Sequence, residues 1–255
     1  MSQPELSPRQ RSFVLGTQRF IYWLSKHWLA LANLFIFLYV GLPFAAPVFM
    51  KAGWTGPARA IYTMYKPLCH QLAFRSWFLF GEQPVYPKAE YQDMFGLQDA
   101  SFTELYSGAR EFIGNETLGY KVSLCQRDVA TYAALLLAGL AYDRLRRRGL
   151  HAMPFWLFIL LGILPIGIDG GTQFINLLIP SFPARESVWQ LRTLTGALFG
   201  FSIAWLAYPY IQEGMDETKQ MLAERHGWNG HTKPPPPPQT AHDKVVQLLK
   251  DQDKI

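Results

Sequence analysis

The sequence predicts an all-α membrane protein with four transmembrane helices and a folded extracytoplasmic insert between spans one and two. Three observations predict it. Four apolar runs lie between residues 28 and 211, and three of them are 23 residues or longer, enough to cross a hydrocarbon core of about 30 Å. Polar residues 51–121 separate the first two runs, and so long a stretch is expected to fold as a cap. A short, strongly basic loop, Asp143-Arg144-Leu145-Arg146-Arg147-Arg148, follows the second run, and the positive-inside rule makes it cytoplasmic. Both termini are then inside and the insert outside. This is a multi-pass topology in the cell inner (plasma) membrane.

Composition narrows the partners. Lys and Arg exceed Asp and Glu by only 24 to 19, and no basic stripe interleaved with aromatics lies on a polar face, so nucleic acid is excluded as a partner. The lipid bilayer is the expected partner, with other membrane protein subunits as further candidates. Cys69 and Cys125 are the only cysteines, too few for a disulfide scaffold. No cleavable leader is expected, because the first apolar run is too long and too late for one. No repeat of fixed period is present.

Residues 1–27 form a cytoplasmic segment. Phe13, Val14, Leu15, Phe20, Ile21, Trp23 and Leu24 in it suit one face of a short interfacial helix, or else a plain tail. Span one, residues 28–50, carries no charge; Pro43 and Pro47 are expected to kink it. In the insert, residues 58–71 read as a helix and residues 75–80 as an aromatic run lying on the membrane surface. Residues 81–87 are turn-rich and residues 91–108 suit one or two short helices.

Span two is placed at residues 122–142. Its first turn takes in Cys125, Arg127 and Asp128. Span three, residues 153–179, contains Asp169, with Gly167, Gly170 and Gly171 beside it, where a break or a close helix contact is expected. Span four, residues 189–211, has Arg192 one turn from its outer end. The tail, residues 212–255, includes the run Pro234–Pro238, read as a stiff polyproline spacer.

This topology sends the unusual polar residues to one membrane face. Cys69, His70 and Arg75 lie in the insert, and Cys125, Arg127 and Asp128 at the outer end of span two. Asp169 is about 24 Å along span three from Pro154, and Gln173 is one turn beyond it on the same side. Asp169, Gln173 and Asp128 are therefore the candidate catalytic groups, as base or ligand. Arg75, Arg127 and Arg192 are candidates for binding an anionic group. Cys69, His70, Cys125 and Asp128 are a candidate site for a divalent metal such as zinc, although adjacent Cys69 and His70 rarely both reach one ion from a regular helix. A Cys69–Cys125 disulfide and two free structural thiols are the alternatives. A disulfide or a shared ion would bring the two sulfurs within about 7 Å. The charged residues also have a purely structural reading, as ion pairs of Arg192 with Asp169 or of Arg127 with Asp128.

The segments Cys69-His70-Gln71 with Arg75-Ser76, Cys125-Gln126-Arg127, Asp169-Gly170-Gly171-Thr172-Gln173, and Arg185-Glu186-Ser187 followed by Arg192-Thr193-Leu194-Thr195-Gly196 occur in that order. In order and spacing they resemble a prokaryotic family of small polytopic membrane proteins, domain of unknown function 2085. The resemblance covers about residues 65–200. In that family the second motif reads Cys-x-Arg-Cys-x-Gly, whereas Asp128 and Ala130 stand at the last two positions here. A carboxylate for a thiolate weakens the case for zinc and leaves a harder metal, or none, open. The resemblance implies a fold and a site location, and no activity.

Three functional readings follow. The first is a membrane-embedded, metal-dependent hydrolase or transferase acting on an amphiphilic substrate. The second is a non-catalytic subunit or assembly factor of a larger membrane complex. A transporter ranks last, because four spans are few for one. The sequence has no nucleophile–base spacing and no dense ligand motif, so it assigns no reaction.

Overall fold

A computed structural model describes residues 7–178 and 185–228. The proline run Pro234–Pro238, the rest of the tail beyond residue 228 and residues 179–184, at the end of expected span three and just after it, lie outside the described residues. The chain divides into two compact units. One comprises residues 1–28 and 212–255, the other residues 29–211.

The described residues are mostly helical. α1 (Pro8–Lys51) joins the expected interfacial segment and span one in one helix, which continues through Pro43 and Pro47. α2 (Thr55–Tyr65), α3 (Lys88–Phe95) and α4 (Phe102–Glu111) belong to the insert. α5 (Gln126–Leu145) leads to the basic loop. α6 (Phe155–Phe158), a π-helical turn (Ile159–Ile163) and α7 (Leu164–Leu178) follow as one run. α8 (Trp189–His226) extends well past the expected end of span four. Three of these are long and apolar enough to cross a membrane: α1, the run Phe155–Gln173, and α8. α5 falls short, since it brings Arg127 and Asp128 in its first turn and Asp143 and Arg144 in its last.

The insert corrects the all-α expectation. It holds a three-stranded antiparallel sheet in the order β1-β3-β2, formed by β1 (Ser76–Leu79), β2 (Gly114–Asn115) and β3 (Gly119–Cys125). Residues 122–125, expected to open span two, are therefore strand. Tyr120, Val122 and Leu124 suit a strand, and β3 is buried on both faces, which removes the alternation that would have marked it. The pairing Ser76↔Cys125, Phe78↔Lys121 and Leu79↔Tyr120 fixes its register. Gly119 starts β3 with φ +77°, and a Cβ there would lie 2.3 Å from the Leu79 carbonyl oxygen, so glycine alone admits the β1–β3 approach.

Within the aromatic run at residues 75–80, Phe80 is 51% exposed and Trp77 half-buried, but Phe78 is not on the surface. Phe78 is buried in the insert's own core with Phe74, Tyr86, Tyr91 and Leu105, edge-on to Tyr86 at 5.0 Å. α4 is fixed at its start by a capping box between Ser101 and Glu104. A second cluster, with Ala46, Ile61, Tyr62, Tyr65, Cys69 and Leu124, ties the end of α1 to α2 and β3.

The glycines of α7 do not break it; the irregularity is the π turn upstream. A close helix contact runs between α5 and α8. A Cβ on Gly196 would meet the Arg127 carbonyl oxygen at 2.5 Å, and one on Gly200 would meet that of Thr131 at 2.1 Å. Small residues four apart let the backbones touch there. Thr131 Oγ1 uses the closeness to donate to the Gly196 carbonyl at 3.1 Å.

Candidate functional site

The junction of β3 with α5 builds the site. Cys125 ends the strand and caps the helix in extended backbone, with no loop between. Arg127 and Asp128 therefore issue from the first turn of α5, where the helix dipole favours a carboxylate. Cys69 arrives from the turn after α2, and its Sγ accepts a hydrogen bond from the backbone N–H of Cys125 at 3.3 Å. Both cysteines are free thiols. One ligand atom from each of Cys69, Cys125 and Asp128 lies within 4.8 Å of the other two. Ligands of a tetrahedral zinc ion sit about 3.3–3.8 Å apart, given bond lengths of roughly 2.0–2.3 Å, so a modest contraction would close this group on an ion. His70 is exposed and outside the three-residue group, although it lines the same cavity.

That cavity, of about 700 Å³, carries Cys69, Cys125 and Asp128 on its wall. Arg75, Arg110, Arg127 and Arg192 also line it, against one lining carboxylate, Asp128. Leu68, Leu72, Phe102 and Tyr106 supply apolar wall, with Phe102 and Tyr106 stacked at 4.0 Å.

The ion pairs differ from those expected. Asp169, 2% exposed, receives Arg127 Nη2 at 2.5 Å, with Arg185 Nη2 at 3.7 Å and Thr195 Oγ1 at 3.5 Å. Arg192 instead pairs with Glu186 and donates to Gln126 Oε1 at 3.1 Å and the Phe74 carbonyl at 3.3 Å. Glu186 also receives Arg75 through both oxygens, at 2.7 and 2.8 Å. The pairs Arg192–Asp169 and Arg127–Asp128 are thus replaced by Arg127–Asp169 and Arg75–Glu186–Arg192. The reason is register: α5 and α7 pack so that Arg127 lies over Gly170, whose Cβ would be 3.1 Å from Nη1. Gln173 Nε2 donates to the Asp169 carbonyl of its own helix at 2.7 Å, and Gln173 lines the cavity while Asp169 does not.

Sequence reasoning missed four participants. Glu186 was legible as the one acid close before Arg192. Gln126, fully buried, donates to the Ser76 carbonyl at 3.1 Å and so locks the α5 start to β1. Arg110 reaches the cavity from α4. Lys121 is a lone cation in an apolar strand. Burial pushes it down to about 7, while its ammonium donates to the carbonyls of Gln71 at 2.7 Å, Arg110 at 2.7 Å and Ala109 at 3.3 Å.

Comparison with known proteins agrees with the motifs. Residues 115–206 match the family described as Predicted membrane protein (DUF2085), the family that the four motifs resemble. That span includes Cys125, Arg127, Asp128, Asp169, Gln173, Glu186 and Arg192, but not Cys69, His70 or Arg75. An uncharacterized protein of Methanocaldococcus jannaschii is 23% identical over 195 residues, covering 74% of this chain and 96% of the relative. No solved structure matches the chain.

Proposed function

We propose that this chain, matched over residues 115–206 to a family of predicted membrane proteins, is a membrane-embedded, metal-dependent hydrolase or transferase of an amphiphilic substrate. One observation carries the reading: two thiols and a carboxylate, mutually within 4.8 Å, share the wall of a 700 Å³ cavity with four arginines. In this reading Cys69, Cys125 and Asp128 hold the ion, and His70 does not. Two sulfurs and one oxygen suit zinc or a metal of similar softness better than magnesium or calcium. Such an ion with three protein ligands keeps a further position open and supplies Lewis acidity there. Arg127 and Arg110 receive the substrate's anionic end, and the Phe102–Tyr106 wall its apolar part. Asp169 acts by holding Arg127, since it is paired with that arginine and does not line the cavity.

The topology belongs to the same proposal. α5 crosses the membrane as a fourth span between α1 and α8, shielded on both sides. Gly139 admits Asn33 of α1, and Thr131 meets Gly196 of α8. The basic loop and both termini are then cytoplasmic, and the insert and cavity face outward.

Metal analysis of protein purified in detergent tests this, with alkylation of thiols before and after a chelator. About one equivalent of zinc-class metal is expected, lost in Asp128→Asn and in Cys69→Ser, with thiols protected until the metal is stripped. Metal-free protein with two freely reactive thiols, or with a disulfide, overturns it. The reading as a non-catalytic subunit is favoured by a different observation. Arg75, Arg192 and Glu186 form a closed network joining the insert to α8, as a scaffold would.

A further inference from the structure

A second cavity, of about 200 Å³, lies far along α5 from the thiol cluster. Ala138 and Ala141 on α5 and Ala204 on α8 leave the space, and Phe201 and Trp205 wall it. Its surface is almost wholly apolar. Phe201 is nearly half exposed, so the groove opens to the side of the helices, towards lipid if α8 spans the membrane. Leu145, within the basic loop, and Leu150, just after it, line the same cavity. Trp205 is held by its indole N–H, which donates to the His151 carbonyl at 3.1 Å.

The groove is lined by Leu145, flanked in the chain by Arg144 and Arg146, and by Leu150, two residues after Arg148. Arg146 is tied to Asp143 at 2.8 Å. Arg144 and Arg148 are exposed and engage no carboxylate among the described residues. An apolar slot by itself gains little in a bilayer, because lipid tails are as apolar as its walls. Two exposed arginines close in the chain to its lining change that, since basic pockets between membrane helices attract anionic headgroups.

The geometry points to a binding site for one anionic phospholipid, an acyl chain in the Ala138–Ala141–Ala204 groove and the phosphate on Arg144 and Arg148. This site is separate from the thiol–carboxylate cavity and stands whether or not that cavity holds a metal.

Native mass spectrometry of the full chain in detergent tests it. The protein is offered equal amounts of phosphatidylglycerol and phosphatidylcholine with the same acyl chains. Two arginines predict a preference for phosphatidylglycerol on the order of tenfold. Arg144→Gln with Arg148→Gln should abolish the preference. Ala141→Trp, at an exposed lining position, should lower retention of the anionic lipid with both arginines present; unchanged retention would overturn the use of the groove. Melting curves of the variants check that they fold. Free glycerol 3-phosphate separates the two sources of the same headgroup: competition by it as strong as by the lipid would also overturn the use of the groove. Equal retention of the two lipids by the unaltered protein, or an unchanged preference in the double variant, would overturn the site.

Discussion

Breaking the Arg127–Asp169 pair should cost more than removing it. Asp169 is 2% exposed, and its other cation, Arg185, stands 3.7 Å away on a side chain 44% exposed. Arg127→Met keeps the aliphatic stem packed near Gly196 but leaves the carboxylate with that distant cation and the Thr195 hydroxyl. Losing one partner of a buried pair costs about 3–5 kcal/mol, and the nearby Arg185 puts this case near the lower end. Asp169→Asn keeps the shape and an acceptor, so about 1–3 kcal/mol is expected. The double variant Arg127→Met/Asp169→Leu removes both charges and should be no worse than Arg127→Met alone. For a chain of this size about 3 kcal/mol lowers the melting temperature by roughly 6–12 °C. Thermal unfolding in detergent of the two single variants and the double variant measures it. Losses that add within about 0.5 kcal/mol would mean that the two side chains do not interact, and the packing of α5 on α7 would be wrong. The same cycle with Arg192→Met in place of Arg127→Met should show weaker coupling, because Arg192 is held by Glu186 and Gln126.

Further outcomes follow from single positions. Gly200→Ala should destabilise by at least about 1 kcal/mol, since its Cβ would sit 2.1 Å from the Thr131 carbonyl, whereas Gly214→Ala on the same helix meets nothing within 4 Å and should stabilise by up to about 1 kcal/mol. Melting the two variants side by side checks the sign difference. Lys121 has a folded value near 7 against 10.5 unfolded, so between those pH values the unfolded chain binds more protons and stability rises with pH. Lys121→Met should flatten that rise in melting temperature between pH 7 and 9; an equal rise in both proteins would acquit Lys121. For topology, Asp99→Cys in a Cys69→Ser/Cys125→Ser background should react with an impermeant maleimide on intact cells and Arg148→Cys should not. The reverse pattern would invert the chain.

Much of this architecture was legible because membranes impose simple demands. Residues 28–50 and 189–211 are uncharged over a bilayer thickness save Arg192, and each lies inside a long helix. The nearness of Cys69 and Cys125 was legible too, from the gathering of polar residues at one end of the apolar runs. The strands were not. Val122-Ser123-Leu124 is apolar enough to prolong the α5 pattern, and a strand buried on both faces shows no alternation. The ion pairs were not legible for a related reason. Chain order gives the level of Arg127, Asp169 and Arg192 along their helices, but not the rotation of each helix. That rotation is set by Gly170, Gly196 and Gly200, which decide where backbones touch.

The register of β3 connects the insert to the candidate metal site. Ser76 pairs with Cys125 and Phe78 with Lys121, with an irregularity in the register between the two pairs. A slip of one residue would turn each side chain to the opposite face. Lys121 would then leave the carbonyls of Gln71, Ala109 and Arg110. The three carbonyls come from the segment after α2 and from the end of α4, so the lysine fastens both to the strand whose last residue is the thiol. A cation placed deep in an apolar sheet is costly, and a methionine would fill the space more cheaply. What the lysine adds is specificity, since only one register satisfies three buried acceptors at once. Loosening at Lys121 should therefore reach the thiols before it reaches the helices. In Lys121→Met the alkylation rate of Cys69 and Cys125 should rise while the helical content is unchanged. Thiols as protected as in the unaltered protein would show that Gln126 and Ser76 alone hold the junction.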